Sequence, residues 1–91
     1  MHLKEYEKAA RCYRQGHDRL NYLKALVFQE LPFAQIQQEF EKEGSDVLTF
    51  VYEQDVCVTW LKRFNKLYSR HLLKQAQVID RMIQTIHELK G

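Results

Sequence analysis

A heptad runs through the second half of this chain and restricts its fold more than any other feature. Steps of seven from Val51 land on Val51, Val58, Asn65, Leu72, Ile79 and Ile86. Steps of seven from Leu61 land on Leu61, Tyr68, Gln75, Met82 and Leu89. The two series are offset by three and four residues, the relation between the a and d positions of a packed helical seam. Such a stripe has to meet another helix. Phe64, Leu67, Leu73, Val78 and Ile83 lie off the strict seam. The apolar face is therefore wider than a bare two-stranded coil needs, and it suits a helical bundle.

Between Leu61 and Leu89 there is no proline and no glycine, so one long helix is expected, about 43 Å in length at 1.5 Å per residue. Ser69-Arg70-His71 is where it would divide. Unbroken, the helix would leave part of its stripe uncovered in a monomer, and a second chain would cover it. The candidate interface with a partner or a second copy is Val58, Leu61, Asn65, Tyr68, Leu72, Ile79, Met82, Ile86 and Leu89. A buried asparagine at an a position, such as Asn65, can fix register and pairing number at some cost in stability. At a bundle edge it would simply meet water.

The first segment reads as helix over about 3–30. Tyr6, Tyr13, Leu20 and Val27 recur every seven residues, with Ala9, Leu23 and Leu26 on the same broad face. Gly16 costs about 1 kcal/mol relative to alanine inside a helix, so a kink or break is expected there. From Leu20 to Phe28 the segment is apolar on several sides, which implies central burial. Pro32 is tolerated in the first turn of a following helix, where its missing N–H would be unpaired anyway. Phe33, Ile36 and Phe40 give that helix an apolar edge, and Gly44 fits the left-handed position just past its end.

Residues 47–60 read two ways. Val47, Thr49, Val51, Val56, Val58 and Thr59 are β-branched, and Phe50, Tyr52 and Trp60 are aromatic, so nine of 14 positions favour strand. A hairpin would turn at Glu53-Gln54-Asp55, which lacks the glycine or asparagine of a good turn. The helical alternative extends the heptad backwards with Asp55 as a cap. The expected fold is all-α: a single domain over 1–91, built as a small bundle of three or four helices with a long C-terminal heptad-bearing helix. An α+β fold with a hairpin at 47–60 is the alternative. A chain of 91 residues supports one small core.

The net charge of +2 conceals a segregation. Residues 31–60 hold Lys42 against Glu39, Glu41, Glu43, Asp46, Glu53 and Asp55, a balance of −5. Residues 61–91 hold seven basic side chains against Asp80 and Glu88, a balance of +5. Opposite blocks can pair within one molecule, pair between two molecules, or face separate partners. Lys62, Arg63, Lys66, Arg70 and Lys74 avoid the seam, and Lys62, Lys66, Arg70 and Lys74 follow one another at intervals of four. This stripe is a solvated helix face, a site for nucleic-acid phosphates, or a dock for an acidic protein segment.

Two fragments resemble parts of helix-turn-helix proteins. Leu23-Lys24-Ala25-Leu26-Val27-Phe28-Gln29-Glu30-Leu31-Pro32-Phe33-Ala34-Gln35-Ile36 resembles the start of the DNA-binding region of sigma-like factors. Val58-Thr59-Trp60-Leu61-Lys62-Arg63-Phe64 resembles the end of a transposase-type recognition helix. Gln37 stands where a small residue is usual, and Gly44 comes about one helical turn late. The segment that would enter the groove carries Asp46, Glu53 and Asp55 and no basic residue before Lys62. The two pieces do not join into one motif, so no family is assigned on them.

Catalytic chemistry finds no signature. The three glycines are scattered, so no phosphate-cradling loop forms, and none of Ser45, Thr49, Thr59 or Ser69 sits in a nucleophile motif. His2, His17, His71 and His87 are never three or four residues from one another or from a cysteine, so no local metal site and no cofactor is expected. Cys12 and Cys57 are expected as two buried free thiols. No apolar run approaches the roughly 18 residues needed to cross a bilayer, and Met1 to Tyr6 lacks the apolar stretch of a secretory signal, so a cytoplasmic chain is expected. The expected function is that of a small non-enzymatic regulator or adaptor. It would act through a protein partner or as a homodimer joined by its C-terminal helix, with no membrane and no small-molecule substrate. A nucleic-acid-binding regulator using Lys62, Arg63, Lys66, Arg70 and Lys74 is the alternative.

Overall fold

Capping chemistry decides where the helices of this chain begin and end. The computed structural model describes residues 3–90, with side chains over 5–89. Those residues form six helices and no strand: α1 Leu3–Gln15, α2 Arg19–Phe28, α3 Phe33–Glu41, α4 Val47–Glu53, α5 Asp55–Tyr68 and α6 Leu73–Lys90. The fold is all-α, and the hairpin alternative for 47–60 is not supported. There are more and shorter helices than the three or four expected, because the chain is punctuated at His17, Glu30, Gly44, Gln54 and the 69–72 turn. Backbone contacts gather it into two compact units, Met1–Leu31 and Pro32–Gly91.

In the first unit, α1 and α2 form a helical hairpin. The break predicted at Gly16 is there, but the left-handed residue is His17, at φ 59°. The Asp18 amide donates to Tyr13 O at 2.9 Å and the His17 amide to Arg14 O at 3.3 Å, the paired closure of a Schellman motif. Asp18 then caps α2, its carboxylate accepting from the Asn21 amide at 3.3 Å. Tyr6 of α1 stacks on Phe28 of α2, centroids 5.1 Å apart and planes 12° from parallel. Tyr22, Leu23, Ala25, Leu26 and Val27 are all buried, as the all-round apolar stretch of α2 implied.

The second unit holds α3 to α6. Pro32 is the N-cap of α3 rather than its first helical residue, and Ile36 and Phe40 are fully buried. Gly44, at φ 76°, ends the helix in the left-handed conformation expected of it. The Ser45 amide closes onto Phe40 O at 3.2 Å and that of Gly44 onto Glu41 O at 2.9 Å.

The short α4 forms in spite of its β-branched residues because Asp46 accepts from the amides of Leu48 (2.8 Å) and Thr49 (3.3 Å). Val47 and Val51, one turn apart, are also completely buried. Propensity costs are a few tenths of a kcal/mol per residue, whereas each buried valine contributes about 1.5 kcal/mol or more; burial wins. Gln54, extended at φ −113° and ψ 102°, separates α4 from α5 and is the N-cap of α5. Asp55 sits one residue inside rather than capping it.

Residues 61–89 are not one helix. After Tyr68 the chain turns through Ser69, Arg70 and His71, and the Leu72 amide donates back to Tyr68 O at 2.8 Å. Asn65 Nδ2 donates to Asp80 Oδ1. A bond between positions placed almost evenly about the turn makes α5 and α6 an antiparallel hairpin. Their seam closes on Cys57, Leu61, Phe64, Ala76, Ile79, Met82 and Ile86, all buried. Arg81 of α6 lies over the Phe33 ring of α3, 5.2 Å from its centroid. Both cysteines are free; Cys57 is buried, but Cys12 is exposed, contrary to the expectation of two buried thiols.

Candidate docking surface

The hairpin settles where the heptad residues sit. Leu61, Ile79, Met82 and Ile86 are buried, Val58, Asn65 and Leu72 are half-buried, and Tyr68 and Leu89 are exposed at opposite ends of the hairpin. Four of the nine stripe residues are thus covered inside their own chain, and the other five stay at least partly open to solvent. Asn65 bonds across from α5 to Asp80 of α6, and its own Oδ1 is buried without a hydrogen-bond partner among the described residues. Gln75, the other polar seam residue, is buried.

The solvent face of α5 carries the charge. At 3.6 residues per turn, Cys57, Leu61 and Phe64 define the buried side, and Asp55, Thr59, Lys62, Arg63 and Lys66 project from the opposite one; all five are exposed. Arg70 and Lys74 continue the basic side chains through the turn and are exposed too. Two cations elsewhere have carboxylate partners: Arg11 pairs with Glu7 at 2.8 Å and Lys42 with Glu39 at 2.9 Å. No ion pair or side-chain hydrogen bond engages Lys62, Arg63, Lys66, Arg70 or Lys74 among the described residues.

What the sequence reading missed is the apolar company of these cations. Leu67 is 57% exposed, Tyr68 41% and Leu73 63%, so three large apolar side chains crown one turn among Lys66, Arg70, His71 and Lys74. In a continuous helix Leu67 and Leu73 would belong to the wide core face. The turn removes them from it. A second exposed apolar pair, Tyr52 (41%) and Val56 (62%), flanks the α4–α5 junction beside Glu53 and Asp55, whose carboxylates have no ion-pair partner among the described residues.

The other candidate chemistry is dispersed. The Leu23–Ile36 fragment runs from α2 through the link into α3, and Val58–Phe64 lies inside α5. The connection from α3 through Gly44 to α4 is a helix, turn and helix. Yet α4 has seven residues, none of them basic, and exposes Thr49, Tyr52 and Glu53. Among the described residues, no three of His, Cys, Asp or Glu come together to hold a metal ion; His2 lies outside them. A groove of about 200 Å³ on the first unit is lined chiefly by Tyr6, Tyr13, Lys24 and Phe28. No helix of the described residues is long and apolar enough to cross a membrane. Comparison with protein-family models, with curated proteins and with solved structures found no match to this chain.

Proposed function

We propose that this chain is a small non-enzymatic regulator or adaptor of the cytoplasm that works by docking on protein, a second copy of itself included. Its contact surface is the α5–α6 turn and the adjoining solvent face of α5. The observation that carries this reading is the cluster of Leu67, Tyr68 and Leu73, exposed together among unpaired cations. A turn needs no large apolar residue to form. Grouped exposed apolar side chains mark contact sites, and tyrosine with arginine at such a site is the composition of binding hot spots. The partner chemistry that fits is an apolar surface ringed by carboxylates.

The five free cations also favour a second reading, in which Lys62, Arg63, Lys66, Arg70 and Lys74 neutralise nucleic-acid phosphates. One experiment separates the two. The full chain is titrated against a labelled acidic amphipathic helical peptide and against a short DNA duplex, each at low and high salt. Protein docking predicts that the peptide binds, that part of the affinity survives high salt, and that Leu67→Ser with Leu73→Ser removes it. Phosphate binding predicts that the duplex binds, that affinity falls steeply with salt, and that the serine pair changes nothing. That second outcome would replace the protein-docking reading.

A further inference from the structure

The surface chemistry that the α5–α6 turn calls for is present on this chain, at the far end of the same helix. The α4–α5 junction, at the N-terminal end of α5, displays Tyr52, Glu53, Asp55 and Val56: two exposed apolar side chains beside two exposed carboxylates without ion-pair partners among the described residues. The α5–α6 turn, at its C-terminal end, displays Lys66, Leu67, Tyr68, Arg70, Leu73 and Lys74: three exposed apolar side chains among cations unpaired within the described residues. Five of the six large hydrophobic residues exposed on the described chain fall into these two clusters. The helix's own dipole accounts for an aspartate in its first turn and a lysine in its last. It does not account for Val56, Leu67 or Leu73 in solvent.

The two clusters match in charge and in apolar character, yet one molecule cannot bring them together. They cap opposite ends of one continuous helix, with Asp55 and Lys66 separated by roughly 17 Å of rise. We propose that the occupant of this surface is a second copy of the chain. It lies antiparallel across α5, so that the acidic-apolar end of each protomer meets the basic-apolar end of the other. A two-fold arrangement engages both ends of both copies and closes, whereas head-to-tail pairing would leave one end of each chain open to propagate. This inference rests on the docking reading above and places self-association on the solvent face of α5, not on the heptad seam.

The test is solution mass by light scattering coupled to size exclusion on the full chain and on two charge-reversed variants, with circular dichroism to verify helix content. The chain itself gives twice its 11.0 kDa at low salt and shifts toward monomer at high salt as the charges are screened. Lys66→Glu with Arg70→Glu sets like charge against like and gives a monomer; so does Glu53→Lys with Asp55→Lys. Mixed in equal amounts, the two variants recover the doubled mass, because each reversed end now faces its complement. Val56→Ser, which alters no charge, weakens association about tenfold. A chain that is monomeric at both salts, a variant that stays dimeric alone, or a mixture that stays monomeric overturns the proposal. A monomeric chain that still binds the acidic helical peptide overturns it while the docking reading stands, and one that binds neither removes both.

Discussion

The described residues include two antiparallel helical hairpins, α1–α2 and α5–α6, and their turns are built differently. Between α1 and α2 the chain passes through Gly16, His17 and Asp18, all polar or small, and its closing hydrogen bonds return to Tyr13 O and Arg14 O. Asp18 goes on to cap the next helix. Between α5 and α6 the turn is flanked by Leu67, Tyr68 and Leu73 in solvent. Both turns close by backbone bonds, from His17 and Asp18 in the first and from Ser69, His71 and Leu72 in the second. The first adds the Asp18 carboxylate, which starts the next helix, whereas the second presents its side chains outward. The lesson is that a hairpin can be closed without exposed apolar groups, so the apolar groups on the second turn need another explanation.

The second hairpin is most sensitive in its core. Phe64 is buried, in ring contact with Trp60 at 5.3 Å and Tyr68 at 4.9 Å. Replacing it with alanine removes most of a buried aromatic and leaves a cavity, at a cost of about 3–5 kcal/mol, read from urea unfolding of the full chain. If the heptad seam instead served a second copy, Phe64→Ala would act through association, and that loss would shrink on dilution. A concentration-independent loss fixes the seam inside the chain.

The polar turn responds on a smaller scale and in both directions. Asp18→Ala removes the carboxylate that accepts from the Asn21 amide and should destabilise by about 1 kcal/mol. His17→Gly should stabilise by about 0.5–1 kcal/mol, since His17 holds a left-handed φ of 59° that costs a residue with a Cβ and not glycine. Both are read as shifts of the urea midpoint. A destabilised His17→Gly would mean that the imidazole makes a contact outweighing its backbone strain.

Most of the helical content was legible because the devices that make it are local. Gly44 sits three residues past the end of α3, Pro32 marks the start of that helix, and the spacing of Ile36 with Phe40 and of Leu61 with Phe64 carries the buried faces. The break at residue 16 was visible too, although the left-handed residue is the one after the glycine. What local reading could not supply was the direction of the chain after Tyr68. Leu61, Tyr68, Ile79 and Met82 keep heptad spacing whether the helix continues or reverses, because a hairpin and a long helix both bury one stripe. Periodicity says that a face is covered; it does not say by what. The five cations were legible as exposed, since they avoid that stripe. Their apolar neighbours were not, because Leu67 and Leu73 look like core until the turn at 69–72 takes them out of it.

The smallest expected change in stability sharpens the contrast furthest. Leu67→Ser with Leu73→Ser removes two apolar side chains that are mostly in solvent, so the folded chain loses little packing and its stability should stay within about 0.5 kcal/mol of the original. The same pair should abolish binding of an acidic helical peptide. Two leucines that matter to a partner and not to the fold are what a docking turn requires, whereas in the α1–α2 turn every effective substitution acts on stability. A loss of several kcal/mol from the serine pair would show that these side chains are packed within the folded chain. The two turns would then differ in composition alone.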